Sequence, residues 1–174
     1  MDLSPVSHES MRAPAPLRLL LVSFIAAFLL NLLPWSGVAL QARPDFVLLI
    51  LLYWSVYEPR SVGQGLAFFL GLLMDVADSA LLGQHALTYG IAVFFTLLLR
   101  VRVLQLNQPA QALHVGAILL LVQFIGVSLN LSLGREMPGM WLAIAPISGA
   151  LLWPAISLIL ALPRFRRRSG QIIG

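Results

Sequence analysis

Residues 112–133 read ALHVGAILLLVQFIGVSLNLSL, an apolar stretch without a single Asp, Glu, Lys or Arg. At a rise of about 1.5 Å per residue, a helix of this length spans the ~30 Å hydrocarbon core of a bilayer. Five further apolar runs lie outside it, at residues 17–33, 46–57, 62–78, 86–104 and 140–162. The sequence therefore predicts an all-α integral membrane protein, folded as a compact bundle of about six transmembrane helices.

The composition supports the same class. Hydrophobic residues make up 59% of the 174-residue chain and charged residues only 10%, whereas soluble domains are roughly 25% charged. Such a chain has too few polar groups to cover a surface facing water, so lipid must cover it. The connections between the runs are short, which predicts that sequential helices are antiparallel neighbours.

The chain divides into three parts. Residues 1–16 are polar and proline-rich and are predicted to form a disordered cytoplasmic tail. Residues 17–163 form a single transmembrane helical domain, and residues 164–174 form a basic cytoplasmic tail that contains four arginines. A cleaved signal peptide is the rival interpretation of the first run, but no convincing cleavage site follows it and several more apolar runs do.

Arginine distribution predicts the orientation. The second run, residues 46–57, is about 18 Å long as a helix, so it either crosses the membrane or enters and leaves on one side. If it crosses, nine arginines are cytoplasmic and only Arg43 and Arg135 lie outside. If it does not, eight are cytoplasmic and three lie outside. Both arrangements place the C-terminus in the cytoplasm, with its arginines near anionic membrane lipid.

The third run carries a ridge of small residues. Gly63, Ala67, Gly71 and Asp75 recur every fourth position and therefore share one face of a helix. Small residues let another backbone approach closely, so this face is predicted to be a helix-packing or partner interface. A carboxylate facing lipid would cost at least ~2.5 kcal/mol. Asp75 should therefore face protein or water, as a proton or ion site or as a structural acceptor.

Other polar and aromatic residues lie within or beside the apolar runs. Asn31, Gln123 and Asn130 either line a polar cavity or form hydrogen bonds between helices. The four tryptophans lie near the ends of the predicted helices, where indole rings anchor a protein at the membrane surface; they are Trp35, Trp54, Trp141 and Trp153.

Several kinds of chemistry have no candidate residues. The chain has no cysteine, and all its basic residues are arginine, so thiol and lysine chemistry are excluded. The histidines, His8, His85 and His114, have no metal-ligand spacing, and no catalytic motif occurs. The arginines stand mostly singly between apolar runs, which does not favour nucleic acid as a partner. The sequence thus predicts a protein that is not an enzyme, with no catalytic residue, cofactor or metal.

A set of short motifs occurs in a specific order. Arg43-Pro44-Asp45 precedes the second run, and Pro59-Arg60-Ser61-Val62-Gly63 follows it. Gly71, Asp75, Leu82-Gly83, Ala86-Leu87 and, near the end, Leu152-Trp153-Pro154 complete the set. In their order and spacing these motifs resemble the bacterial rod shape-determining MreD family, mainly over residues 43–87. Asp78 and Glu58 depart from the family pattern, but neither is one of the matched positions.

The resemblance implies a non-enzymatic scaffold of the cell-elongation machinery in the bacterial inner membrane. It implies MreC as the direct partner and a role in organising lateral peptidoglycan synthesis. MreB, RodZ, and RodA with its transpeptidase would belong to the larger assembly. The implied helix arrangement is similar to that of the substrate-binding subunits of energy-coupling-factor transporters. A small-solute or lipid-binding transport subunit is the alternative function, and a membrane enzyme is the least supported hypothesis.

Overall fold

The computed structural model describes residues 15–134 and 143–170, without the side chains at positions 38, 41 and 163–170. This part of the chain contains helices and their connections, and no strand. The helices are α1 (Leu17–Leu32), α2 (Gly37–Ala42), α3 (Phe46–Tyr57), α4 (Gln64–Ala77), α5 (Gln84–Gln105), α6 (Gln108–Ser132) and α7 (Ile144–Gly170). The predicted N-terminal tail up to residue 14, Arg135 and Trp141 lie outside the described residues.

Six of these helices correspond to the six predicted runs. Helix α3 has the predicted bounds, whereas α6 begins four residues before the predicted start at 112. The short helix α2 was not predicted. Helix α7 continues through Gly170, so the basic segment up to that residue is helical. By length and hydropathy, three helices can cross a membrane: α5, α6 and the Ile144–Leu162 part of α7. Helices α1, α3 and α4 are apolar but shorter.

Helix α3 forms the centre of the bundle. Every residue from Val47 to Val56 is buried, because α1, α5 and α7 all pack against this helix. Its sequence is apolar around its whole circumference, which is typical of a helix surrounded by protein. The side chain of Asp45 caps its first turn by accepting a hydrogen bond from the backbone N–H of Leu48 at 3.0 Å.

Contacts at both ends fix the direction of α3. Asn31, at the end of α1, bonds to Asp45 before α3, while the N–H of Ala15, before α1, donates to Glu58 after α3. Helices α1 and α3 are therefore antiparallel. The Arg100 guanidinium, near the end of α5, donates to the carbonyl of Val56 near the end of α3 at 2.6 Å. Helix α3 therefore connects opposite ends of the bundle, which favours a crossing segment over a re-entrant one.

Two of the tryptophans lie in the core instead of anchoring helix ends. Trp54 and Trp153 are both fully buried, and the Trp54 indole N–H donates to Ser23 Oγ at 2.9 Å. The prediction of interfacial anchoring is wrong for this pair, because both rings fill the space around the central helix beside Tyr53. Trp35 is half-buried at the end of α1 and donates to the carbonyl of Leu30 at 3.0 Å.

Candidate functional site: a polar cavity at one end of the bundle

A cavity of about 240 Å³ lies where α1 and α4 end and where α3, α5 and α7 begin. The last half of α6 closes one side. Its polar lining comprises Asn31, Arg43, Asp45, Asp78, Gln84, His85, Thr88, Tyr89, Gln123 and Asn130. Of the two alternatives for the amides, all three of Asn31, Gln123 and Asn130 line the cavity, and Asn31 also forms a hydrogen bond between helices, to Asp45. Polar side chains from separate parts of the sequence are thus gathered at one end of an apolar bundle.

Asp45 connects three helices at the cavity wall. One carboxylate oxygen accepts from Asn31 Nδ2 and the Leu48 N–H, each at 3.0 Å. The other accepts from the Tyr89 hydroxyl at 2.5 Å. The side-chain oxygen of Asn31, Oδ1, in turn accepts a hydrogen bond from the Phe46 N–H at 3.1 Å. These bonds tie α1, α3 and α5 together. Sequence reasoning assigned no role to Asp45, although an acid directly before an apolar helix is an N-cap signal.

Asp75 holds the beginning of α5. It is 1% exposed, and its two carboxylate oxygens accept from the backbone N–H groups of Gly83 and His85, each at 2.7 Å. The ring Nδ1 of His85 lies 3.0 Å from the same carboxylate. The first N–H groups of a helix have no partner within it, and Gly83 has no side chain to cap them. The acid of α4 therefore performs this role, and its charge is stabilised by the helix dipole. This geometry matches the structural interpretation of Asp75.

The ridge of small residues on α4 faces α5. Ala67 is fully buried, and Gly71 leaves no room for a side chain: a Cβ there would lie 2.5 Å from the backbone nitrogen of Ala86. Gly63 precedes the first turn of α4 and a Cβ there would meet only the Pro59 carbonyl, at 3.8 Å. The close approach between the two helices therefore depends on Gly71. Gly83, at φ +99°, provides the left-handed turn into α5.

Arg43, Asp78 and His85 form a looser charged group at the cavity. The Arg43 guanidinium donates to the backbone carbonyl of Asn31 at 2.5 Å, but it lies 3.8 Å from the Asp78 carboxylate. His85 Nε2 is also 3.8 Å from Asp78. These separations are too long for direct hydrogen bonds. The side chains are 20–30% exposed, so this group can meet a ligand or water.

The family-pattern positions fall in two places. Arg43, Pro44 and Gly83 lie at the cavity end, and Pro44 is buried. Trp153 and Pro154 lie within α7, where the Trp153 indole N–H reaches Gln111 Oε1 at 3.5 Å. Within the described residues, His, Asp and Glu side chains do not form a group that could hold a metal ion. His85 and Tyr89 had no sequence signal, because only the fold brings α3, α4 and α5 together at this end.

Comparisons with known proteins give one consistent result. The family model described as rod shape-determining protein MreD matches residues 11–162. The Rod shape-determining protein MreD of Haemophilus influenzae is 32% identical over 142 residues, which cover 79% of this chain and 85% of that protein. No solved structure matches the chain. The match extends from before α1 into the second half of α7 and includes the whole cavity, so this chain belongs to the MreD family of rod shape-determining membrane proteins.

Proposed function

We propose that this protein is a non-enzymatic scaffold of the bacterial cell-elongation machinery, which binds MreC and helps to organise lateral peptidoglycan synthesis. The family match over residues 11–162 is the observation that carries this proposal. Family membership connects the chain with rod shape determination, and the structure offers a platform of packed helices. MreB, RodZ, and RodA with its transpeptidase would join through the larger assembly.

The arginine distribution supports a multi-pass orientation in the inner membrane. Arg60 follows α3, and Arg100 and Arg102 lie in the last part of α5. These positions lie at the end of the bundle opposite the cavity. Because arginines concentrate in cytoplasmic connections, we propose that this end faces the cytoplasm, together with the C-terminus after α7. The six helices other than α2 would then all cross the membrane, and the cavity would lie on the outer side.

The outer face of α4 is the surface we propose for partner contact. The small-residue face of this helix is occupied by α5, so a partner could reach it only by displacing α5. The opposite face carries three exposed apolar side chains: Phe69, Leu73 and Val76 are 41–69% exposed. Helix α4 packs mainly against α5, which leaves this outer face open to the transmembrane helix of a bitopic protein. Gly71 and Asp75 would support the contact indirectly by holding α4 in place.

Affinity capture with MreC tests the proposed contact. The full chain and MreC would be co-expressed and captured from mild detergent. A double variant, Phe69→Ala with Leu73→Ala, removes volume from the outer face of α4. The matched control, Leu21→Ala with Leu29→Ala, removes volume from the exposed face of α1. We expect capture of MreC to fall at least severalfold in the α4 variant only. Failure of the unaltered chain to capture MreC would contradict the proposal.

The polar cavity favours one second candidate, a small-solute or lipid-binding transport subunit. On that hypothesis the helix arrangement would be similar to that of energy-coupling-factor substrate-binding subunits, which stays a prediction. Uptake of a solute that depends on this protein, with normal cell shape in its absence, would support the transport function. Loss of rod shape without any change in solute uptake would support the scaffold.

A further inference from the structure

The cavity contains hydrogen-bonding groups that the protein does not use internally. Asp45 and Asp75 are fully engaged by donors from neighbouring segments. Gln84 is different: its Oε1 atom is buried and has no hydrogen-bond partner, although Gln84 lines the cavity. Asp78 is also less engaged, since the nearest basic atoms, on Arg43 and His85, are 3.8 Å away. A buried acceptor without a donor is costly, which points to a donor supplied from outside the chain.

The charges around the cavity favour a cation over an anion. Two carboxylates, those of Asp45 and Asp78, line it against a single arginine, Arg43. The guanidinium is already committed to the Asn31 carbonyl. A cationic ligand with N–H groups would donate hydrogen bonds to both Gln84 and Asp78. Its positive charge would also bring the local charge closer to balance.

The size of the cavity limits the ligand. Its volume of about 240 Å³ is well above the ~15 Å³ needed to hold one water molecule and slightly below the ~300 Å³ at which ordinary ligand pockets begin. This space suits a small polar group better than a large cofactor. The lining also includes apolar side chains, Leu48, Leu119 and Val122 among them, which could contact a short carbon chain.

We propose that this cavity binds a ligand carrying a primary ammonium group, with the Asp78 carboxylate as one acceptor and Gln84 Oε1, turned into the cavity by rotation of its side-chain amide, as the other. Binding of this ligand would not depend on contact with MreC. A primary ammonium has three N–H donors, which are enough for both acceptors. A quaternary ammonium has the same charge but no N–H group, so it cannot satisfy Gln84. The source is either a free small amine or the head group of phosphatidylethanolamine.

Lipid retention distinguishes donor chemistry from charge alone. The purified full chain would be incubated with equal amounts of phosphatidylethanolamine and phosphatidylcholine, and bound lipid would be measured by native mass spectrometry. A parallel thermal-shift titration with soluble ethanolamine and choline tests the free-amine source. We expect a preference of about tenfold for the primary ammonium in at least one experiment, since a hydrogen bond to a charged group has about that effect. Selective lipid retention alone would identify the head group as the source.

Two variants assign the effect to the cavity. Gln84→Leu removes the unpartnered acceptor and should abolish the preference, without lowering the melting temperature of the ligand-free protein. Asp78→Asn should weaken binding severalfold, and its side chain is sufficiently exposed to leave the fold intact. Gln64→Leu, at an exposed position that does not line the cavity, is the matched control. Equal binding of primary and quaternary ammonium by the unaltered chain would overturn the proposal. Full retention of the preference in Gln84→Leu would overturn it as well.

Discussion

Asp75 and His85 join the end of α4 to the beginning of α5: the carboxylate accepts from the His85 backbone N–H at 2.7 Å and lies 3.0 Å from the ring Nδ1. A buried acid in an apolar bundle thus serves as a helix cap. The replacement Asp75→Leu would leave the N–H groups of Gly83 and His85 without this acceptor. We expect a loss of about 3 kcal/mol in the free energy of unfolding, measured by denaturation in detergent.

Asp78→Asn is the control for that variant. Asp78 has only 3.8 Å contacts with basic atoms and is partly exposed. Loose ion pairs of this kind contribute less than about 1 kcal/mol, so we expect little change in unfolding. Equal losses from Asp75→Leu and Asp78→Asn would show that Asp75 has no special role in the junction.

Gly71→Ala tests the close contact between α4 and α5. The added Cβ would meet the backbone of Ala86, which cannot move independently of its helix. We expect a loss of about 1–3 kcal/mol, typical of overpacking, measured as a lower melting temperature. Gly65 lies in the same helix with open space around it. Gly65→Ala should therefore be neutral or stabilise the protein by up to about 1 kcal/mol. A stable Gly71→Ala variant would contradict the packing described here.

Tyr89→Phe tests the link between α5 and α3. The change removes the hydroxyl that donates to Asp45, which leaves one carboxylate oxygen without that donor. We expect a loss of about 1–3 kcal/mol. A double-mutant cycle with Asp45→Asn should give a coupling energy of at least about 0.5 kcal/mol. Thr96→Val is the control, since the Thr96 hydroxyl bonds only to the Ala92 carbonyl of its own helix, and zero coupling in the cycle would contradict the link.

Trp54→Ala separates core packing from interfacial anchoring. Trp54 is fully buried and hydrogen-bonded to Ser23, so its removal should cost about 3–5 kcal/mol. Trp35 is half-buried at the end of α1, and Trp35→Ala should cost about 1 kcal/mol or less. The two melting temperatures in detergent give the comparison. Similar small shifts for both variants would support the anchoring interpretation instead.

The helices were largely predictable from sequence, whereas the cavity was only partly so. Long apolar runs define α5, α6 and α7 by their hydrophobicity, and the cap at Asp45 explains why α3 begins at Phe46. Helix α2 escaped prediction because its six residues show no clear periodicity. Its position is set by packing against α7.

Long-range placement accounts for the remaining differences. The burial of Trp54 follows from α3 being surrounded by other helices, which hydropathy along the chain does not reveal. Asn31, Gln123 and Asn130 were recognised because amides are conspicuous in apolar runs. His85 and Tyr89 were not, since their roles depend on carboxylates that lie 10 and 44 residues away along the sequence, respectively.

Depletion of the protein in its native bacterium tests whether it acts in rod shape determination. The chain would be expressed from a controlled promoter, and cell length and width would be followed by microscopy as its level falls. The scaffold function predicts that rods become round, and that re-expression of the unaltered chain restores rod shape. Cells that remain normal rods after the protein has disappeared would contradict the assignment to the elongation machinery.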